Sequence, residues 1–226
     1  MARKRDYIEE ILTRKDRHLI RAPREEQFRL RVYPLVKGFR AILALDSDVD
    51  YKNEWLKYGA IGYIACIEGY FRMLLSDLIN AGPPYSNRIS GFKDIKINIE
   101  DLVAIHSKTV SLGEYISHLL PMNGVNDING NMTTLIGQDY FNLLKASPTN
   151  LFNPDDKRVV GETFPEIIGN VEALFQLRHL YCHELAPKVK TPTRKVVNLI
   201  SSAASLVTYT EDIAQKILLK TAEQAP

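Results

Sequence analysis

Ala65-Cys66-Ile67-Glu68-Gly69-Tyr70-Phe71-Arg72 is the stretch that decides the fold class. It lies within Asp50 to Ala81, where Leu56, Tyr63, Ile64, Ile67, Tyr70, Phe71, Leu74 and Leu78 recur at three- and four-residue intervals. That is the period of a helix, and a strand would need strict alternation. Asp50 is a suitable N-cap, because its carboxylate can accept from the unpaired first-turn N–H groups, and Gly82-Pro83-Pro84 stops the run. Gly62, Ala65, Gly69 and Ser76 occupy the opposite face, where small side chains let a second helix approach closely. A long helix buried at the centre of the molecule is therefore expected. Glu68 and Arg72, one turn apart at its border, are expected to form a surface ion pair worth about 0.3–0.5 kcal/mol.

Toward the N-terminus, Phe28, Val32, Leu35, Phe39, Ile42 and Leu43 place a helix over Arg24 to about Leu45, which Pro34 should kink or split. Residues 1–24 hold eight Lys or Arg interleaved with Asp6, Glu9, Glu10 and Asp16. They are expected to form a mixed-charge arm, a solvated helix face rather than a phosphate track. Toward the C-terminus, 82–110 is expected to be loop followed by helix, the alternation of Ile95, Ile97 and Ile99 leaving a short strand as the alternative. Ser111-Leu112-Gly113-Glu114 is a capping box opening a helix through about Leu120. Asn123 to Asn131, rich in Asn, Gly and Asp, is expected to be loop, Met132 to Lys145 helix, and Ser147 to Gly161 loop again. Thr163-Phe164-Pro165-Glu166 is a second capping box, starting a helix at about Phe164. Pro187 ends that helix, and Thr191-Pro192 opens a last one striped by Val196, Val197, Ile200, Ala203, Ala204, Val207, Ala214, Ile217 and Leu218. The expectation is an all-α fold: a helical bundle over 25–220 with a long central helix and a C-terminal helix pair, preceded by the arm.

At 226 residues, 45% hydrophobic and 25% charged, the chain suits one packed domain. A net charge of +2 gives no overall basicity that would announce nucleic acid. Cys66 and Cys182 form no metal-ligand spacing, which suits a reducing compartment. Met1 to Asp6 lacks the apolar core of a secretion signal, and no apolar run approaches the roughly 20 residues of a membrane span. A cytoplasmic protein away from membranes is expected.

Arg178-His179-Leu180-Tyr181-Cys182-His183-Glu184 departs from the plain core pattern. At 100° per residue, Ile167, Val171, Leu174, Phe175, Cys182 and Leu185 form one apolar stripe, with Arg178 in its middle. A guanidinium keeps its proton, so on a buried face it requires a carboxylate, carbonyls or an anion. His179 and His183, one turn apart, flank the stripe. Such breaks in local pattern are where function concentrates.

Arg178 and His183 spell Arg-x4-His, with polar His179 directly after the arginine, near the end of a core helix that one further helix follows. This resembles the signature of the HEPN superfamily, all-α domains found in many prokaryotic toxins and defence ribonucleases. Ala65 to Arg72 is similar to the core helix that carries a glutamate in several HEPN families. The resemblance implies a HEPN-like bundle acting as a metal-independent endoribonuclease, a toxin or anti-phage effector, with two copies of the motif meeting across a homodimer cleft. It implies RNA as substrate, an antitoxin or sensor protein as a further partner, and no cofactor or metal. It casts His183 as general acid or base and Arg178 as the group on the scissile phosphate, with His179 orienting or assisting. Glu68 would steady Arg178, with Tyr181 and Glu184 as lesser participants, Tyr181 by stacking on a base. Three other readings stay open. The motif is also what a solvated basic helix end looks like. His179 and His183 with Glu184, His106 or His118 offer a metal-ligand set. A HEPN-like domain can also serve only as an RNA- or nucleotide-binding or dimerisation module. Phosphate-binding glycine loops and a Gly-x-Ser-x-Gly elbow are missing from the sequence, which speaks against nucleotide kinases and α/β-hydrolases.

Overall fold

The computed structural model describes residues 6–17, 22–45, 49–93, 95–107, 109–151, 155–183 and 191–223, without the side chains of Asp16, Arg17, Val49 and His183. Among them the chain is all-α. The helices are α1 Tyr7–Arg17, α2 Arg24–Ala44, α3 Val49–Asn80, α4 Ile99–His106, α5 Leu112–Leu119, α6 Val125–Ile136, α7 Tyr140–Ala146, α8 Val160–Thr163, α9 Ile167–His183 and α10 Thr193–Glu223, with a 3-10 turn at Ser86–Gly91. The described residues contain no strand, only an isolated antiparallel bridge between Pro148 and Val159.

α3 is the central helix, about 48 Å long at 1.5 Å per residue. Its apolar face, with Tyr63, Ile64, Ile67, Tyr70, Phe71, Leu74 and Leu78 fully buried, is packed by α2, α5, α6, α9 and α10. Tyr115 and Tyr140 complete the buried aromatics, and the Phe71 and Tyr140 rings meet edge to face at 6.2 Å. The small residues opposite are only partly used for close packing. A Cβ at Gly62 would stand 3.3 Å from Leu35 of α2, and the tightest approach is one turn earlier, where a Cβ on Gly59 would lie 1.6 Å from the Phe39 ring. Ala65 is exposed, and no atom lies within 4 Å of a Cβ built on Gly69, so no second helix covers that part of the face among the described residues.

Asp50 does not cap α3, which already begins at Val49; it lies inside the first turn, where its negative charge still suits the helix N-terminus. Other local expectations hold. Ser111 accepts from Glu114 N–H while the Glu114 carboxylate accepts from Ser111 N–H, forming the capping box of α5. Asn98 and Asp101 make the same reciprocal pair at α4, which follows a loop as expected. Against expectation, Pro34 does not split α2, which runs unbroken from Arg24 to Ala44.

Three further expectations fail. The stretch 123–131 is not loop: from Val125 it is helix. Val125, Ile128, Met132, Leu135 and Ile136 face the core at helical spacing, and that burial outweighs the low helix propensity of Asn and Gly. The asparagines are used as well, Asn131 Nδ2 donating to the Pro121 carbonyl at 2.8 Å and Asn129 Oδ1 accepting from Phe141 N–H at 3.0 Å. Gly137, at φ +80°, ends the helix in the left-handed conformation that costs glycine least. The expected helix of 132–145 is consequently divided between α6 and α7. The box at Thr163 does not form either. α8 ends at Thr163, Pro165 and Glu166 make a turn, and α9 starts at Ile167. Thr163 Oγ1 is buried with no hydrogen-bond partner among the described residues.

The segment 7–17 is a helix docked on α5. Ile11 is buried, Tyr7 meets Tyr115 edge-on at 6.5 Å, and Lys15 Nζ reaches Glu114 and the Thr109 carbonyl.

Candidate functional site

α9 leaves the core as it proceeds. Ile167, Val171, Leu174 and Phe175 are buried as the stripe predicts, but Cys182, assigned to the same stripe, is exposed, and in the last turn of α9 it is Tyr181 that packs against the core. Leu185 lies outside the described residues. Arg178 stands where the helix emerges, its side chain 32% exposed. The requirement for a counter-charge is met by Glu68 of α3, whose Oε1 lies 3.7 Å from Arg178 Nη2. That distance is too long for a hydrogen bond, and Glu68 Oε1 is buried without one among the described residues. Burial pushes the Glu68 carboxyl above the usual glutamate range, and the nearby charges of Arg178 and Arg72 only partly offset it.

Arg72 does not serve mainly as a surface partner for Glu68. Its Nη1 donates to the carbonyls of Ser117 at 2.8 Å, His118 at 3.3 Å and Leu120 at 3.0 Å. A guanidinium is well placed there, since the C-terminal carbonyls of α5 lack partners within the helix. Tyr181 is half-buried. Its hydroxyl is hydrogen-bonded to that of Thr191, and the Lys57 ammonium stands 5.8 Å from its ring centre. A base stacking on Tyr181 would compete with that ammonium. His179 is exposed; the side chain of His183 and all of Glu184 lie outside the described residues. Of the expected site, Arg178 and Glu68 are thus brought together, with Tyr181 and His179 on the same emerging end of α9.

Among the described residues no three His, Cys, Asp or Glu side chains gather as a metal site. His118, one of the distant histidines considered as a ligand, is engaged at 2.8 Å with Glu10 of α1.

A separate polar centre was not expected from the sequence. Arg24, at the start of α2, has a side chain only 8% exposed and donates to both oxygens of Glu211 on α10, at 2.8 and 2.9 Å, and to Asp77 on α3. The Tyr70 hydroxyl donates to Glu211 at 2.7 Å. Burial opposes the Arg24 charge, but Glu211 and Asp77 outweigh it and raise the arginine above its ordinary value. Beside this cluster a groove of about 530 Å³ runs between α2 and α10, walled by Phe28, Val32, Val36 and Val207. Arg178, His179 and Tyr181 are not among its lining. The one signal is Glu211 itself, an acid on the apolar stripe of Val207 and Ala214, where a charge needs a buried partner.

No family model matches the chain, and neither a curated protein nor a solved structure matches it. No helix among the described residues is long and apolar enough to cross a membrane.

Proposed function

We propose that this chain is a metal-independent endoribonuclease of HEPN type, a toxin or anti-phage effector whose site is completed by a second copy. The observation that supports the reading is the Arg178–Glu68 pair: a permanently charged guanidinium on the emerging turn of α9, steadied by a carboxylate on the central helix. In the reaction, His183 takes the proton of a ribose 2′-hydroxyl as its oxygen attacks phosphorus. The P–O5′ bond breaks as the leaving oxygen takes a proton from the imidazolium of the second copy's motif, leaving a 2′,3′-cyclic phosphate and a 5′-hydroxyl. Imidazole, with an ordinary pKa of about 6.5, suits either proton transfer near neutral pH. Arg178 neutralises the charge that builds on the phosphorane oxygens, where two parallel N–H donors serve better than an ammonium.

The test is cleavage of RNA in EDTA by the full chain. Wild type should yield cyclic-phosphate ends, and Arg178→Ala and His183→Ala should each lose about 10²–10⁴-fold in rate while helical content stays unchanged. RNA that is bound and never cut would favour a non-catalytic binding module. Activity abolished by the chelator would favour a metal site instead.

A further inference from the structure

α2 packs along α3 but not along α10, which it meets through the Arg24–Glu211 bridge at its first turn. The gap between α2 and α10 is the groove of about 530 Å³, and Tyr63 of α3 lies at its floor. Although α2 is 21 residues long, none of its residues is fully buried, and Phe28, Val32 and Val36 stay partly open on the groove side. Ala204 and Val207 form the opposite wall, and Leu151, 37% exposed, adds to the apolar lining.

Two polar features interrupt that lining. Tyr63 is 1% exposed, yet its hydroxyl has no hydrogen-bond partner among the described residues. A phenol at the floor of an apolar groove therefore has its hydrogen bond still to make. Of the charged residues that line the groove, Glu25, Glu211 and Asp212 are acids and Arg29 is the base. Glu211 is taken by Arg24, Asp212 by Lys216 and Arg29 by Glu26. Glu25 alone of the four has no ion pair among the described residues, Arg29 acting on it only from a distance.

We infer that this groove binds a small organic amine, with its apolar body between the walls of α2 and α10, its ammonium at Glu25 and a polar atom on the Tyr63 hydroxyl. A groove of this volume suits one small molecule, and apolar walls with a few fixed polar groups are the usual make-up of such sites. An anionic ligand would face three carboxylates, so charge opposes it. Filling the groove takes Phe28, Val32 and Val36 out of water, a burial that α2 does not find within the chain. The site shares no residue with Arg178 and its neighbours, so it stands or falls apart from the ribonuclease reading.

Dansylcadaverine, an apolar naphthalene carrying a terminal ammonium, is the probe of the full chain, beside neutral dansylamide and anionic anilinonaphthalene sulfonate. Binding is read from probe anisotropy and from the rise in unfolding temperature that a native-state ligand produces. Expected is saturable, single-site binding of dansylcadaverine, tighter than that of either comparison probe. Glu25→Gln, at an exposed position, should weaken dansylcadaverine about threefold, as loss of a surface ion pair does, and leave dansylamide unchanged. Tyr63→Phe should weaken both about fivefold through the lost hydrogen bond. Ala204→Trp and Val36→Trp put an indole into the groove from opposite walls, and each should abolish binding with far-UV circular dichroism unchanged. Should either lose its fold, the contrast between the two dansyl probes in Glu25→Gln still decides. Absence of saturable binding would overturn the inference, as would tightest binding of the anionic probe or dansylcadaverine binding that survives both folded indole variants. Equal affinity for the two dansyl probes, with Glu25→Gln of no effect, would overturn the amine. A chain that cuts RNA and binds no probe loses the groove and keeps the ribonuclease; one that binds and never cuts does the reverse.

Discussion

His118 sits where α1 crosses the end of α5, its side chain 4% exposed. Nε2 is 2.8 Å from Glu10 Oε2, while Nδ1 is buried with no partner among the described residues. That asymmetry selects the neutral tautomer with the proton on Nε2, donating to the carboxylate; a second proton would put an N–H where nothing accepts it. Burial accordingly holds the His118 pKa below the usual histidine value, helped by Arg14 and Arg72 and opposed by Glu10. A depressed histidine binds its proton less readily in the folded state than in the unfolded one. Its contribution to stability is therefore complete above the ordinary histidine pKa and is lost as the pH falls below it. Thermal unfolding followed from neutral to acid pH should show this loss, and His118→Gln should flatten it. Arg178 differs from His118 in how much of it could be read in advance. Its place within an apolar stripe demanded a counter-charge, and Glu68 supplies one. The stripe did not reveal that the last turn of α9 meets the core through Tyr181, so Cys182, one turn on, is exposed against expectation.

Between elements, the closest contact of α5 with α3 is at Gly113. A Cβ there would stand 2.3 Å from the Ser76 carbonyl oxygen and 2.8 Å from the Asn80 side chain. Asn80 meanwhile accepts from Gly113 N–H and donates to Ser111 Oγ, both at 3.0 Å, so the start of α5 is tied to the end of α3. Because a main-chain oxygen cannot move aside as a side chain can, Gly113→Ala should force α5 away and cost about 1–3 kcal/mol. Urea unfolding of the single variant measures this. Ser111 and Glu114 were readable because a capping box is a local device whose two partners lie three residues apart. The asparagine-rich start of α6 was misread for the converse reason. Its propensity favours loop, and only the packing of Ile128 and Met132 against the core makes it helical. At Thr163 the pattern was present but unused, because α8 occupies the residues that would have preceded the box.

Across the whole molecule, Arg24, Asp77, Glu211 and Tyr70 join the start of α2 to α3 and α10. Arg24 and Glu211 are 187 residues apart in sequence, so no periodicity could have paired them. The fold class, which depends on local period, was legible; this cluster, which depends on tertiary placement, was not. Glu211→Ala would leave the Arg24 guanidinium buried with Asp77 alone and should cost about 3–5 kcal/mol, read from the urea midpoint. Glu211→Gln, which keeps an acceptor for Tyr70, should cost less. The length of α3 has a further consequence. Its middle and C-terminal turns are locked by five neighbouring helices, whereas its first turns, from Asp50 to Tyr58, have only Leu56 in the core. One continuous helix thus spans two regimes of local opening: turns that fray at little cost, and turns whose amides become accessible only when the whole domain unfolds. Tyr51, Trp55 and Tyr58, on the first turns, therefore have more freedom to adjust to whatever they meet than Glu68, which is held beside Arg178 on the packed turns.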